Sequence, residues 1–385
     1  MERVKLGFVG LGRIFRLGYR RWLGRWARAT GGQVSVAALS DINPDAGRRY
    51  ESALGARFFE DPMELLESGL VNAVVISTPN WAHREQVEAA ARQGIHVLCE
   101  KPMARTYEEC RSMNEACSSA GVTLQVSFMR RFSPAIQKIK SMMDSEALGE
   151  IIEMNCNWPY FLADLDSPPW SDAAQLIERI TGYSIDREWG AWRLKDPRCG
   201  GGDFLDHGPH ICDLFTWFNG RISHVSAESR VMAPGRNEDF TCCRIKFENG
   251  AFGSITTTLF DHSAGINGRV TGFIRGRRGR INFVFPNTNY FLPIYFTHYG
   301  ETGFTAGELA RALGVRIPAP HFFPYVNLFK AQLEHFCSGL LGIRKPHPLF
   351  GMHDFAANGA DGAYTIKIVE AAYRSAASPP MWVAV

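Results

Sequence analysis

The chain has 385 residues, 45% of them hydrophobic and 21% charged, which describes a soluble globular protein too long for one ordinary core, so two domains are expected. Lys and Arg outnumber Asp and Glu by 42 to 39, and the resulting net charge of +3 offers no overall electrostatic footprint for nucleic acid. No uninterrupted apolar run approaches the ~18 residues that a membrane helix needs.

Nine cysteines occur without a CxxC pair, so neither a metal-ligand spacing nor a disulfide framework is expected, and most read as small buried groups in a reducing compartment. The sequence enters a strand-like run at Val4 with no basic region, apolar stretch and cleavage site before it, and a cytoplasmic protein is expected.

Val4 to Gly10 reads as a fully buried strand running into Gly10-Leu11-Gly12-Arg13-Ile14-Phe15. This is most of a dinucleotide fingerprint: the first glycine permits a tight turn, the second lets main chain approach a pyrophosphate, and Arg13 and Ile14 open the following helix. Phe15 stands where a third glycine belongs, so helix and strand are not expected to approach as closely there. An amphipathic helix through Tyr19, Trp22, Leu23 and Trp26 should end at Gly31-Gly32.

A second strand, Val34 to Leu39, delivers Asp41, which is 29 residues after Gly12. A carboxylate at that strand end accepts bonds from ribose hydroxyls and repels a 2′-phosphate, which favours NAD over NADP. The competing reading makes Asp41 an N-cap before Pro44. Helix, strand and helix then follow at 62–68, 73–77 and 82–93, with Thr78, Asn80 and His83 in the intervening segment. Asn80 reads as an N-cap, and His83 as a group facing the cofactor. Alternating strands and helices of this length build a parallel, doubly wound sheet.

The next strand, from Ile95, ends in Glu100-Lys101-Pro102. A proline holds the residue before it extended, so Lys101 is presented at the carboxyl end of a strand, where such sheets bind their ligands.

Gly10-Leu11-Gly12, Thr78-Pro79-Asn80 with His83, and Glu100-Lys101-Pro102 together resemble the glucose–fructose oxidoreductase, inositol dehydrogenase and rhizopine catabolism family of NAD(P)-dependent oxidoreductases. Arg130-Arg131-Phe132-Ser133-Pro134 is similar to the family's segment where the chain passes between domains. The resemblance implies that Lys101 is catalytic and touches substrate and nicotinamide. It also implies a Rossmann domain over 1–125 and, over 126–385, an α+β domain with an open, mostly antiparallel sheet that binds substrate and forms a homodimer or homotetramer. The β-rich pattern after Glu150 agrees with the second domain, with strands expected at 151–158, 224–232, 240–247, 251–259 and 281–285. Asn249-Gly250 and the basic run 275–280 read as hairpin turns.

Gly200-Gly201-Gly202 leads into Asp203-Phe204-Leu205-Asp206-His207-Gly208-Pro209-His210-Ile211-Cys212-Asp213. On a helix, Asp206 and His210 share a face with Asp213, and a carboxylate beside an imidazole suits proton movement at a carbinol carbon. The stretch resembles the family's second signature, in which the aspartate and histidine are catalytic. His207 with His210 is a weak hint of a metal, and no metal is expected. Pro209 requires the helix to begin near Leu205 or to kink.

Among the aromatic residues before this stretch, Trp158 and Trp192 with Arg193 are the candidates for binding a sugar or cyclitol ring. Arg131 is a further substrate contact, and Arg130 and Glu100 are cofactor contacts. The expected activity is hydride transfer between a secondary alcohol of a sugar, sugar derivative or cyclitol and NAD. Lys101 and His210 are the two candidates for the proton-accepting base. The alternatives are a glycosidase that oxidises its substrate transiently on retained NAD, and a cofactor-bound sugar sensor.

Overall fold

The computed structural model describes residues 1–160, 176, 195–232, 237–259, 261, 269–286, 294–300, 319–323, 326–351, 354–377 and 381–385. By packing, these fall into two units. One comprises Met1–Glu146, Cys212–Asn219 and Val326–Glu370; the other comprises Ala147–Ile211, Gly220–Tyr325 and Ala371–Val385. The first unit is discontinuous in sequence because helical segments from late in the chain pack with the first sheet.

The first unit holds a six-stranded parallel sheet. Its strands are β1 (Val4–Val9), β2 (Val34–Ser40), β3 (Arg57–Phe59), β4 (Ala73–Ile76), β5 (His96–Cys99) and β6 (Leu124–Val126). They lie in the order β3-β2-β1-β4-β5-β6, the doubly wound arrangement expected from alternating strands and helices. β4 is buried at every position and β1 at all but Lys5, as befits strands covered on both faces.

The segment after the glycine loop departs from the expected single helix. A π-helical turn spans Phe15–Tyr19 and an α-helix follows only at Leu23–Ala29. Phe15 is fully buried between Phe8 and Tyr50, with ring centroids 5.3 and 5.2 Å away. A ring therefore fills the place where a glycine would let the helix close on β1. Close approach moves to Gly18, where a Cβ would lie 2.8 Å from the Phe329 ring.

The second unit carries a mixed, mostly antiparallel sheet. In chain order its described strands are β7 (Ile151–Pro159), β8 (Ile222–Arg230), β9 (Phe240–Phe247), β10 (Phe252–Thr258), β11 (Arg269–Gly276), β12 (Gly279–Pro286), β13 (Ile294–Gly300), β14 (Ala319–Phe323) and β15 (Val383–Ala384). β10 runs parallel to β7, and the other pairings are antiparallel. Met154, Cys156, Val225, Cys243, Ile245, Ile255 and Ile274 form the inward face by alternation. β11, β13, β14 and β15 lie outside the strands expected from sequence: Gly272 interrupts β11, β13 and β14 carry consecutive aromatic or apolar residues without a period-two alternation, and β15 is two residues long.

Both hairpin expectations match the register. Arg275 pairs with Arg280 across the β11–β12 turn, and Gly250 sits at φ +91° between β9 and β10. Among the described residues no helix is long and apolar enough to cross a membrane.

Candidate active site

Four main-chain bonds lace the carboxyl edge of the first sheet. The residue just past each strand donates to the last carbonyl of its neighbour: Gly10 to Ser40 (2.8 Å), Ser77 to Val9 (2.8 Å), Glu100 to Ile76 (2.9 Å) and Ser127 to Cys99 (2.8 Å). These bonds set the glycine loop, the Thr78 segment and the Lys101 segment side by side along one edge.

The glycine loop has the features a dinucleotide needs. Gly10 has φ +90°, and a Cβ on it would lie 2.8 Å from the Ser77 carbonyl, so only glycine fits. A Cβ on Gly12 would meet nothing within 4 Å, which leaves open room beside exposed main chain. Arg13 and Ile14 are half-buried next to it.

Asp41 closes the loop from the next strand: its Oδ2 accepts the Leu11 N–H at 2.7 Å and its Oδ1 accepts the Asn43 N–H at 2.9 Å. The helix cap here is Asn43, whose side chain accepts the Asp45 N–H, and not Asp41. Each Asp41 oxygen retains a lone pair for a ribose hydroxyl.

One expectation for the middle segment is corrected. The helix Asn80–Arg92 is entered through Pro79, so Asn80 is its first residue and not its N-cap. His83 has its polar atoms against main chain. It is buried, with Nε2 2.9 Å from the Thr78 carbonyl oxygen and Nδ1 3.1 and 3.2 Å from those of Pro102 and Met103. The ring lies between the two loops, and in its neutral form its one N–H donates to a carbonyl of one of them. Thr78 itself is half-buried and its hydroxyl donates to Gln86 Oε1 at 2.6 Å.

Lys101 is half-buried and joined to Pro102 by a cis peptide bond. The Glu100 carboxylate turns inward: it accepts the Ser127 hydroxyl at 2.6 Å, and Ser127 in turn accepts from Gln332 Nε2 at 2.8 Å. Burial, with the Glu100 charge adding to it, pushes the Tyr19 phenol well above its ordinary range.

Arg130 and Arg131 are both buried in the turn Met129–Phe132. Arg131 is engaged by partners within the first unit. Its guanidinium grips Asp213 with two nitrogens, reaches the Phe355 carbonyl and Asp361, and lies over the Trp217 ring. Asp213 accordingly belongs to this ion pair and not to a catalytic face shared with Asp206 and His210.

In the second unit, the helix Asp203–Asn219 begins with a side-chain clasp that the sequence did not suggest. Glu238 accepts the Gly202 N–H (2.7 Å) on one oxygen, and the Phe204 N–H (3.1 Å) and the Tyr373 hydroxyl (2.6 Å) on the other. These bonds satisfy donors that a helix start leaves open. Burial raises the Glu238 carboxyl above its usual range, against the pull of those three donors. Pro209 lies inside this helix, where it withdraws the bond to the Leu205 carbonyl.

Asp206 is 18% exposed at its side chain, and His210 is buried. The Trp158 indole stacks on both His207 (4.8 Å, 29°) and His210 (5.6 Å, 19°). Trp158 is 2% exposed and forms a wall behind the two imidazoles. Trp192 and Arg193 lie outside the described residues. Among the described residues no cluster of His, Cys, Asp and Glu is placed to hold a metal.

Comparison with known proteins accords with this geometry. Residues 4–128 match the oxidoreductase family with an NAD-binding Rossmann fold, and residues 136–282 match the GFO/IDH/MocA C-terminal domain. A 1,5-anhydro-D-fructose reductase from Ensifer adhaerens is 30% identical over 66% of this chain and 70% of its own. A levoglucosan dehydrogenase from Pseudarthrobacter phenanthrenivorans is 26% identical over 65% of this chain, which spans 64% of that protein's length. A solved levoglucosan dehydrogenase in complex with NADH and levoglucosan covers 100% of this chain and 99% of its own, with a TM-score of 0.77 at 21% identity. With two family domains matched over more than half its length, the chain belongs to the Gfo/Idh/MocA oxidoreductase family.

Proposed function

We propose that the protein is an NAD-dependent oxidoreductase acting on a secondary alcohol of a sugar, sugar derivative or cyclitol. The observation that carries this reading is the laced strand edge, which aligns the open Gly12 loop, Asp41 and Lys101 along one ligand-binding rim. Gly10, Gly12, Arg13 and Ile14 offer main chain to the pyrophosphate, and Asp41 offers its carboxylate to the adenosine ribose. Thr78, Asn80, Glu100 and Arg130 support the same rim, three of them from buried positions. Bound there, the nicotinamide supplies the hydride acceptor or donor.

The chain's own residues handle the oxygen and its proton. The Lys101 ammonium polarises the carbinol oxygen. His210, held flat by Trp158, takes the hydroxyl proton, with Asp206 one helical turn away. The names of the relatives, which act on anhydro sugars and inositols, support the substrate class.

We also propose a homo-oligomer formed through the outward face of the second sheet. Phe252, 54% exposed, and Phe273 stand on that face among Asn155, Ser254 and Arg244. Analytical ultracentrifugation of the wild type and of Phe252→Glu reads this directly; a wild-type monomer overturns it.

The activity is tested by incubating the protein with NAD and levoglucosan, scyllo-inositol or glycosides, and with NADH and 1,5-anhydro-D-fructose. NADH absorbance and product release are followed together. A change in NADH with at least one compound is the expected result. Sugar release without it points to the glycosidase, and ligand binding without turnover to the sensor.

A further inference from the structure

The first turns of the helix Asp203–Asn219 carry a second imidazole that the proposed chemistry above leaves idle. His207 is four residues after Asp203, and Asp203 is 1% exposed, so its carboxylate is withdrawn from water. Asp203 Oδ1 lies 2.5 Å from His207 Nδ1. Asp203 Oδ2 has no hydrogen-bond partner among the described residues, so the imidazole is the side chain that answers this buried charge. A carboxylate in that position fixes the ring as the Nδ1–H tautomer and leaves the Nε2 lone pair free to accept a proton.

Nε2 points the other way along the helix, 3.8 Å from Asp206 Oδ2. That is an ion-pair distance and longer than a hydrogen bond; a small side-chain rotation or a single water spans it. Side-chain exposure is 1% at Asp203, 16% at His207 and 18% at Asp206, so His207 and Asp206 both reach water and the imidazole offers a second outlet for a proton held at Asp206. Trp158 backs His207 and His210 with the same indole. An imidazole with one nitrogen fixed by a buried carboxylate and the other turned toward a partly exposed one has the architecture of a proton relay.

We propose that His207, oriented by Asp203, exchanges the substrate-derived proton between Asp206 and solvent. This rests on the oxidoreductase reading above. On oxidation the carbinol C–H electron pair leaves as hydride to NAD⁺ and the O–H bond gives its proton to His210, which passes it to the Asp206 carboxylate one helical turn away and returns to the neutral imidazole. The proton then passes from Asp206 Oδ2 to His207 Nε2 and from there to water, leaving both side chains as they began. Reduction runs the same path inward. Asp203 is a positioning residue in this scheme, since it acts through His207.

Two measurements test the relay. The first needs no turnover: in protein labelled with ¹⁵N-histidine, long-range ¹H–¹⁵N correlation shows His207 as the Nδ1–H tautomer in the wild type, and Asp203→Asn moves it to Nε2–H. A wild-type Nε2–H tautomer, or one that Asp203→Asn leaves unchanged, overturns the proposal. The second follows NADH formation with levoglucosan and scyllo-inositol as probes. His207→Ala is expected to lower kcat ~10- to 100-fold with KM within about twofold, and added imidazole to restore at least ~5-fold of the loss.

His207→Gln, which keeps the volume, should show the same kcat loss without rescue. A kcat within twofold of wild type, or a folded His207→Ala that does not respond to imidazole, rejects the relay. If the wild type forms no NADH with either probe, it is the oxidoreductase reading that falls, and the tautomer result alone decides the Asp203–His207 arrangement.

Discussion

Arg131 and Asp213 meet in a two-pronged ion pair with both side chains inside the protein. Nη2 lies 2.6 Å from Oδ1 and Nε 3.0 to 3.1 Å from the two oxygens, at 6% and 1% side-chain exposure. Removing one partner strands a buried charge, so Arg131→Leu should lose about 3–5 kcal/mol in urea unfolding. A loss below ~1 kcal/mol is incompatible with the pairing described.

The same pair carries a pH signature. Burial pushes the Asp213 carboxyl up to about 6, against the pull of Arg131. Between the ordinary carboxylate range and 6 the folded protein keeps a proton that the unfolded chain has released. This contribution is therefore fully present at low pH and is lost as pH rises through 6. From pH 4.5 to 7.5 the wild type should lose on the order of 2–3 kcal/mol of stability relative to Asp213→Asn, measured by denaturant unfolding at each pH. A constant difference between the two proteins contradicts it.

Gly10 and Gly12 separate folding from ligand binding. Gly10→Ala forces a side chain into φ +90° and against the Ser77 carbonyl, and should destabilise by about 2 kcal/mol or more. Gly12→Ala meets no protein atom, so its Tm should stay within about 1 °C of wild type. Its Kd for NADH, read by quenching of tryptophan fluorescence, should nonetheless rise at least ~10-fold, because the methyl enters the room left for pyrophosphate. Unchanged NADH affinity in Gly12→Ala removes this loop from the cofactor site.

Lys101→Met and His210→Asn should each reduce kcat by about 10²–10⁴ while leaving NADH affinity within threefold. Single-turnover absorbance at saturating NAD measures the first quantity and fluorescence titration the second. Retention of full turnover by both variants rules out the proposed roles.

Asp41 should govern the choice between the two nicotinamide dinucleotides. Asp41→Ser removes the charge that opposes a 2′-phosphate while keeping an acceptor for the Leu11 N–H. The ratio of kcat/KM for NAD over NADP is expected to fall by about 10- to 100-fold. A ratio that does not move would assign the preference to other residues.

The first sheet and its rim were legible because parallel strands are short apolar runs and the glycine, Thr78 and Lys101 segments each end one of them. What sequence could not show is where each side chain turns once it arrives. His83, Arg131 and Trp158 have the right residue types for ligand contact, yet each is taken up by long-range partners: carbonyls at 102 and 103, Asp213, and the two imidazoles. Such partners are many residues away in the chain and leave no local spacing. Asp203 and His207 are the exception, since their four-residue separation puts them on one helical face in the sequence itself.

The imidazole of His83 is packed between the Thr78 loop and the Pro102–Met103 loop, its ring nitrogens 2.9–3.2 Å from carbonyl oxygens of both. Order imparted at one loop is therefore expected to be felt at the other. With the cofactor against Thr78, as proposed, its binding should quiet the main chain at Lys101 before any substrate arrives. Amide exchange at 78–80 and 101–103 should slow together on adding NADH, and in His83→Ala the two segments should respond separately.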